Sequence, residues 1–130
     1  MNLLLDTHVL IWWLEGSGRL GRRTRQAICT AGSSSFISVV SAWEINIKTA
    51  VNRLTMNANP EEAVPGLFAD GFEPLPIHFR HAFAVRSLPL HHSDPFDRML
   101  IAQAQCERLT LVTADTAFGA YGIPTLDATT

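Results

Sequence analysis

Residues 2–8 read Asn2-Leu3-Leu4-Leu5-Asp6-Thr7-His8. Three consecutive leucines bounded by polar residues predict a short strand buried on both faces, the kind found in a parallel sheet covered by helices. The run stops at Asp6. Val9, Leu10, Trp12, Trp13 and Leu14 then recur at helical spacing until Gly16-Ser17-Gly18 breaks the pattern. The chain therefore opens with a strand, an acidic residue and a helix.

The same alternation continues outward from this start. A second helix is predicted from about Gly21 to Ala31, closed by Gly32, and a β-branched strand over Ser35–Val40. A helix opening at Ser41 runs to about Val51. Asn59-Pro60-Glu61-Glu62 combines an N-cap, a first-turn proline and an acidic third position, so another helix starts there. Phe72–Ile77 holds two prolines and is limited to an edge strand or an extended connection. Helices follow over about His78–Ser87 and from Asp94-Pro95 through about Glu107, with strands at Leu109–Thr113 and Ile123–Leu126. Strands alternating with helices predict an α/β fold of one domain over residues 1–130, with a mainly parallel central sheet.

Composition agrees with a globular chain. Of 130 residues 47% are apolar and 17% charged, which argues against disorder. Ten basic residues against twelve acidic ones give a net charge of -2, so the chain is not a basic coat for nucleic acid. Nine of the ten basic residues are arginine, and Arg19, Arg22, Arg23 and Arg25 form their one cluster; it reads equally as a solvated helix face or an anion contact. Cys29 and Cys106 lack disulfide or CxxC spacing and read as small core hydrophobes in a reducing compartment. The first residues do not resemble a signal peptide, and no stretch approaches the roughly 20 apolar residues of a membrane span. A cytoplasmic protein with no membrane partner is expected.

Three of four acids follow a strand to one edge of the predicted sheet, and the fourth, Asp97, joins them if its helix starts at the same edge. Asp6 ends the first strand, Glu44 lies early in the helix after the second, Asp97 is in the first turn of the longest helix, and Asp115 follows the strand ending at Thr113. Ligands of open parallel sheets bind outside the carboxyl ends of the strands. Each acid also has a structural reading: Ser41-x-x-Glu44 as a capping box, Asp94 and Asp97 as the acidic start of a helix, Asp6 and Asp115 as caps. Caps fall anywhere, whereas these four would all fall on one edge. Two carboxylates about 5 Å apart repel by roughly 3 kcal/mol at an effective dielectric of about 20. Four of them would strain a domain stable by only about 5–15 kcal/mol, so protons or a cation must sit among them. Oxygen ligands suit magnesium or manganese, and such a site suits phosphodiester hydrolysis.

The motifs are also similar to those of a known family. Leu4-Leu5-Asp6-Thr7-His8 resembles the opening of PIN-domain proteins. Ser41-Ala42-Trp43-Glu44-Ile45-Asn46-Ile47-Lys48 resembles the second-acid segment of the VapC-type toxins of that family. His92-Ser93-Asp94-Pro95-Phe96-Asp97-Arg98 and the Leu100–Ala104 stretch after it resemble their third-acid helix, and Thr113-Ala114-Asp115 the fourth. One departure is Asn52-Arg53-Leu54, where relatives often carry a glycine before the basic residue. The resemblance implies a three-layer α/β/α sandwich and a Mg2+- or Mn2+-dependent endoribonuclease with Asp6, Glu44, Asp97 and Asp115 as catalytic and metal-binding residues. It further implies a small antitoxin partner and a homodimer. Thr7 and Thr113 suit orienting a carboxylate or a metal-bound water, and Asp94 capping or assistance. Lys48, one turn after Glu44, suits a solvated ion pair or a phosphate contact. Arg98 suits an RNA contact or a surface position, His91 and His92 read as loop residues rather than zinc ligands, and Trp12, Trp13 and Trp43 as core or dimer packing. Haloacid-dehalogenase-type phosphatases need a second aspartate where His8 stands, and receiver domains a late lysine this chain lacks. A PIN-like module that binds without cutting, or a housekeeping nuclease without an antitoxin, remains the alternative.

Overall fold

The computed structural model describes residues 1–130. Strand β1 (Asn2–Leu5) lies at the centre of a five-stranded sheet of order β3-β2-β1-β4-β5, formed with β2 (Ser34–Ser38), β3 (Glu73–Leu75), β4 (Thr110–Thr113) and β5 (Thr125–Asp127). Every neighbouring pair is parallel. The proline-bearing segment is the edge strand β3, which pairs with β2 alone.

The leucine triplet divides by strand parity. Leu3 and Leu5 join one apolar cluster, with Val9, Leu10 and Ile11 of α1 (Thr7–Glu15), Ile28 of α2 (Arg22–Cys29), Ile45 of α3 (Val39–Ala50) and Val64 and Leu67 of α4 (Pro60–Ala69). Leu4 joins the other, with Leu100, Ile101 and Ala104 of α6 (Pro95–Glu107). Leu111 and Val112 of β4 separate in the same way. Two apolar cores flank one parallel sheet, and the architecture is the α/β/α sandwich expected. The helix expected over His78–Ser87 is a short α5 (Phe79–Ala84) running into a 3-10 turn at Val85–Ser87. No helix is long and apolar enough to cross a membrane.

Two local expectations are corrected. Helix α3 begins at Val39 rather than Ser41, because the Ser38 hydroxyl accepts the Val40 amide at 3.0 Å and is the N-cap. Val39 and Val40 look like strand by propensity, yet Val40 is fully buried as part of the helix, a case of packing overriding propensity. Ser41 and Glu44 therefore lie inside the helix, and the anticipated capping box does not form. Cys29 and Cys106, expected in the core, are both exposed, since they lie on the outward sides of the last turns of α2 and α6.

At the carboxyl end of the sheet, residues 128–130 fold back onto α2. The Gly21 amide donates to the Ala128 carbonyl at 2.9 Å and the Arg23 amide to Thr130 at 2.9 Å. A Cβ on Gly21 would sit 2.1 Å from the Thr130 backbone, so the close approach requires glycine.

Candidate metal centre

The end of β1 sets the first acid. The Asp6 amide still bonds to the Val112 carbonyl of β4 at 3.0 Å, and its carboxylate then accepts the Val9 amide at 2.9 Å as the N-cap of α1. Asp6 is buried, which raises its carboxyl above the ordinary range even though Thr113 and Val9 donate to it. Thr113 thus serves two acids at once: its hydroxyl bonds the Asp6 carboxylate and accepts the Asp115 amide at 3.0 Å.

Glu44 is reached from α3 and is 2% exposed. One carboxylate oxygen accepts the Thr7 hydroxyl at 2.6 Å, and the other is paired with Lys48 four residues on. The Ser41 hydroxyl meets that of Thr7 at 3.0 Å. The Glu44–Lys48 pair is not the solvated one expected on a helix surface, because Glu44 is buried and Lys48 largely covered.

Asp94 caps α6, accepting the Phe96 amide at 2.8 Å and that of Asp97 at 3.3 Å. One turn in, the half-buried Asp97 carboxylate receives no hydrogen bond from the chain. Burial, with the negative charges of Asp94, Glu44 and Asp6, pushes it up to about 7. Asp115 caps the 3-10 turn Thr116–Tyr121, accepting the Ala117 amide at 2.9 Å. Its partial burial works to raise its carboxyl, but the bond from His92, the Ala117 amide and the charge of His92 prevail and hold it low.

His92 is the residue that sequence reasoning set aside. Its Nε2 lies 3.1 Å from the Asp115 carboxylate, and its ring is stacked against Phe118 and Tyr121. The His92 amide donates to the Tyr121 hydroxyl at 2.8 Å, and the ring Nδ1 lies 3.0 Å from the same hydroxyl. His92, Asp97 and Asp115 offer ligand atoms within 4.8 Å of one another. Through Nε2, His92 orients the Asp115 carboxylate. The one signal for it was its place two residues before the cap of α6.

Asp6, Glu44, Asp94, Asp97 and Asp115 line one cleft of about 320 Å³, with His8, Lys48, Trp12 and Phe118 on its walls. All four expected acids are there, with Glu44 and Asp115 each held by two partners from the chain and Asp97 by none. Arg98 does not face this space: its guanidinium donates to the carbonyls of Pro89 at 2.9 Å, Val85 at 3.0 Å and Leu88 at 3.3 Å. The donor set fits a hard divalent cation. Carboxylate oxygens predominate, and the unpartnered Asp97 is forced toward neutrality where a cation would hold it ionised.

A parallel sheet with carboxylates gathered at its carboxyl edge defines a class of α/β domains with an acidic site. The sequence profile of the PIN domain matches residues 3–124, and the chain belongs to the PIN domain family. No curated protein matches it in sequence. Among solved structures it is similar to a chain of VapBC2 from Rickettsia felis bound to a DNA fragment from its promoter (TM-score 0.73, 13% identity, 97% of this chain and 98% of that one). It is likewise similar to a chain of a toxin-antitoxin complex from Klebsiella pneumoniae (TM-score 0.61, 24% identity, 95% of each chain). DNA-bound VapBC from Salmonella typhimurium gives a TM-score of 0.67 at 19% identity over 97% of each chain. At these identities the likeness is one of fold.

Proposed function

We propose that this chain is a divalent-metal-dependent endoribonuclease and the toxin of a toxin–antitoxin pair. The observation that carries the reading is the Asp97 carboxylate, half-buried among Asp6, Glu44 and Asp94 without a hydrogen bond from the chain. Asp6, Glu44, Asp97 and Asp115 are the catalytic and metal-binding residues. When bound, Mg2+ or Mn2+ supplies an activated water and Lewis acidity at the phosphate. Thr113 and His92 aim Asp6 and Asp115, Thr7 and Lys48 hold Glu44, and Asp94 fixes the first turn from which Asp97 projects. Trp12 and Phe118 form apolar walls that narrow the access of water.

The antitoxin is supported by the structural neighbours, which were solved as toxin–antitoxin complexes. A homodimer is supported by α3 and its C-cap, along which Val39, Trp43, Ile47 and the capping Val51 recur every four residues and are all exposed. Such a stripe can meet itself across a twofold axis. The protein acts in the cytoplasm, where its RNA is.

The test is cleavage of transfer, ribosomal and messenger RNAs by purified protein whose mass has been measured by light scattering. Cutting is expected only with Mg2+ or Mn2+, from a particle of two copies. Asp6→Asn and Asp97→Asn should lower the rate by about 10³-fold or more, on the scale of losing a catalytic electrostatic group, with an unchanged circular dichroism spectrum. Cutting in EDTA, or normal cutting by both variants, would overturn the site. Expression alone should arrest growth, and co-expression of a small neighbouring reading frame should relieve it.

A further inference from the structure

The acidic cleft has a cationic neighbour. Helix α3 ends in a turn at Asn52, whose φ of 58° lies in the left-handed region, and the Arg53 amide closes the turn on the Lys48 carbonyl at 2.8 Å. The reversal sends Leu54 against the apolar core and leaves Arg53 on the rim of a second cleft, of about 400 Å³. Thr7, His8, Ile11, Glu44 and Lys48 complete its lining. The two clefts share His8, Glu44 and Lys48 as a common wall.

Charge distinguishes them. The first cleft gathers five carboxylates. The second holds the Lys48 ammonium, the His8 ring and the Arg53 guanidinium, against Glu44, which Lys48 already engages. Arg53 makes no ion pair, and its side chain donates to no group of the chain. An unpaired guanidinium in a polar cleft, next to a site that takes up a phosphodiester, is matched to a second phosphate of the same strand. Guanidinium nitrogens bind two phosphate oxygens at once, and an ammonium adds a point charge.

The geometry points to this cleft as the subsite for the backbone phosphate that flanks the scissile one in single-stranded RNA, with Arg53 as its principal ligand and Lys48 and His8 beside it. The inference rests on the nuclease reading for the identity of the polymer. Arg53 is a positioning residue: it holds the strand in register while the acidic cleft does the chemistry. The left-handed turn at Asn52 is what aims it.

The test is binding of a short fluorescein-labelled single-stranded RNA by anisotropy, with Mg2+ present and in the Asp97→Asn background so that the RNA stays intact, over roughly 50–200 mM salt. Arg53→Gln should weaken binding about tenfold, the scale of one charge-assisted contact. It should also flatten the plot of log affinity against log salt by about 0.7, the value for one phosphate of a single strand. Arg53→Lys should recover the slope but not the full affinity. In the otherwise native chain, Arg53→Gln should raise KM for cleavage and leave kcat within about twofold, as for loss of uniform binding. Equal affinity and slope for Arg53→Gln and its parent would overturn the subsite. A native chain that binds with this slope but cuts no RNA would sink the nuclease reading and leave the subsite standing. A chain that binds no RNA would sink both.

Discussion

Asp97 is the residue on which the charge of the site falls hardest. Burial and the carboxylates of Asp94, Glu44 and Asp6 raise it to about 7, against 3.8 for a free side chain. Between those values the folded chain binds more protons than the unfolded one, so stability falls as pH rises across the window from about 4 to about 7. The metal-free Asp97→Asn protein should therefore melt higher than its parent at neutral pH, by about 3 °C once the part exposure of the group is discounted. The difference should vanish near pH 4. Calorimetry of both proteins in EDTA checks this, and equal melting temperatures at neutral pH would refute the charge crowding. Residue types and spacing made these acids legible in the sequence, because carboxylates after strands share an edge whatever the details of packing. His92 was not legible. Its role depends on stacking against Phe118 and Tyr121, residues more than twenty positions away, which no local pattern reports.

At the scale of elements, the connection from α5 to α6 is held by one side chain. Arg98 gathers the carbonyls of Val85, Leu88 and Pro89, and this places the loop that delivers His92 to Asp115. Arg98→Ala should cost about 2 kcal/mol by urea unfolding, since hydrogen bonds to a charged group contribute about 1.5–3 kcal/mol each and water recovers part of the loss. Amides of residues 85–92 should exchange faster, while those of β1 and β4 keep their protection. Unchanged exchange there would mean that the loop stands without its clasp. Alternation made the parallel sheet legible, and the prolines limited Phe72–Ile77 to an edge strand or an extended connection. The order of the strands depends on long-range pairing that no local pattern reports. The start of α3 was not legible either, because Ser38 and Ser41 are equally good caps in sequence. Burial of Val40 and of Ser41, next to Thr7, decides between them.

For the molecule as a whole, stability and cation uptake are coupled. A cation held by Asp97 must displace the proton that the apoprotein prefers below about 7, so binding should release protons near pH 6 and tighten as pH rises. Titration of Mn2+ in two buffers of different ionisation enthalpy measures this release. A buffer-independent heat would count against Asp97 as a ligand. At about a hundredfold excess over Kd the cation should add roughly 2.7 kcal/mol of stability. The pairing of β1 with β4 has a consequence for synthesis. Strand β1 leaves the ribosome well before its neighbour β4 at residues 110–113, and the acids of the cleft are spread from Asp6 to Asp115. A nascent chain cannot assemble the cleft until the last of these has emerged. On the nuclease reading proposed above, a cleft that assembles this late spares the RNA of the ribosome for most of the protein's own translation.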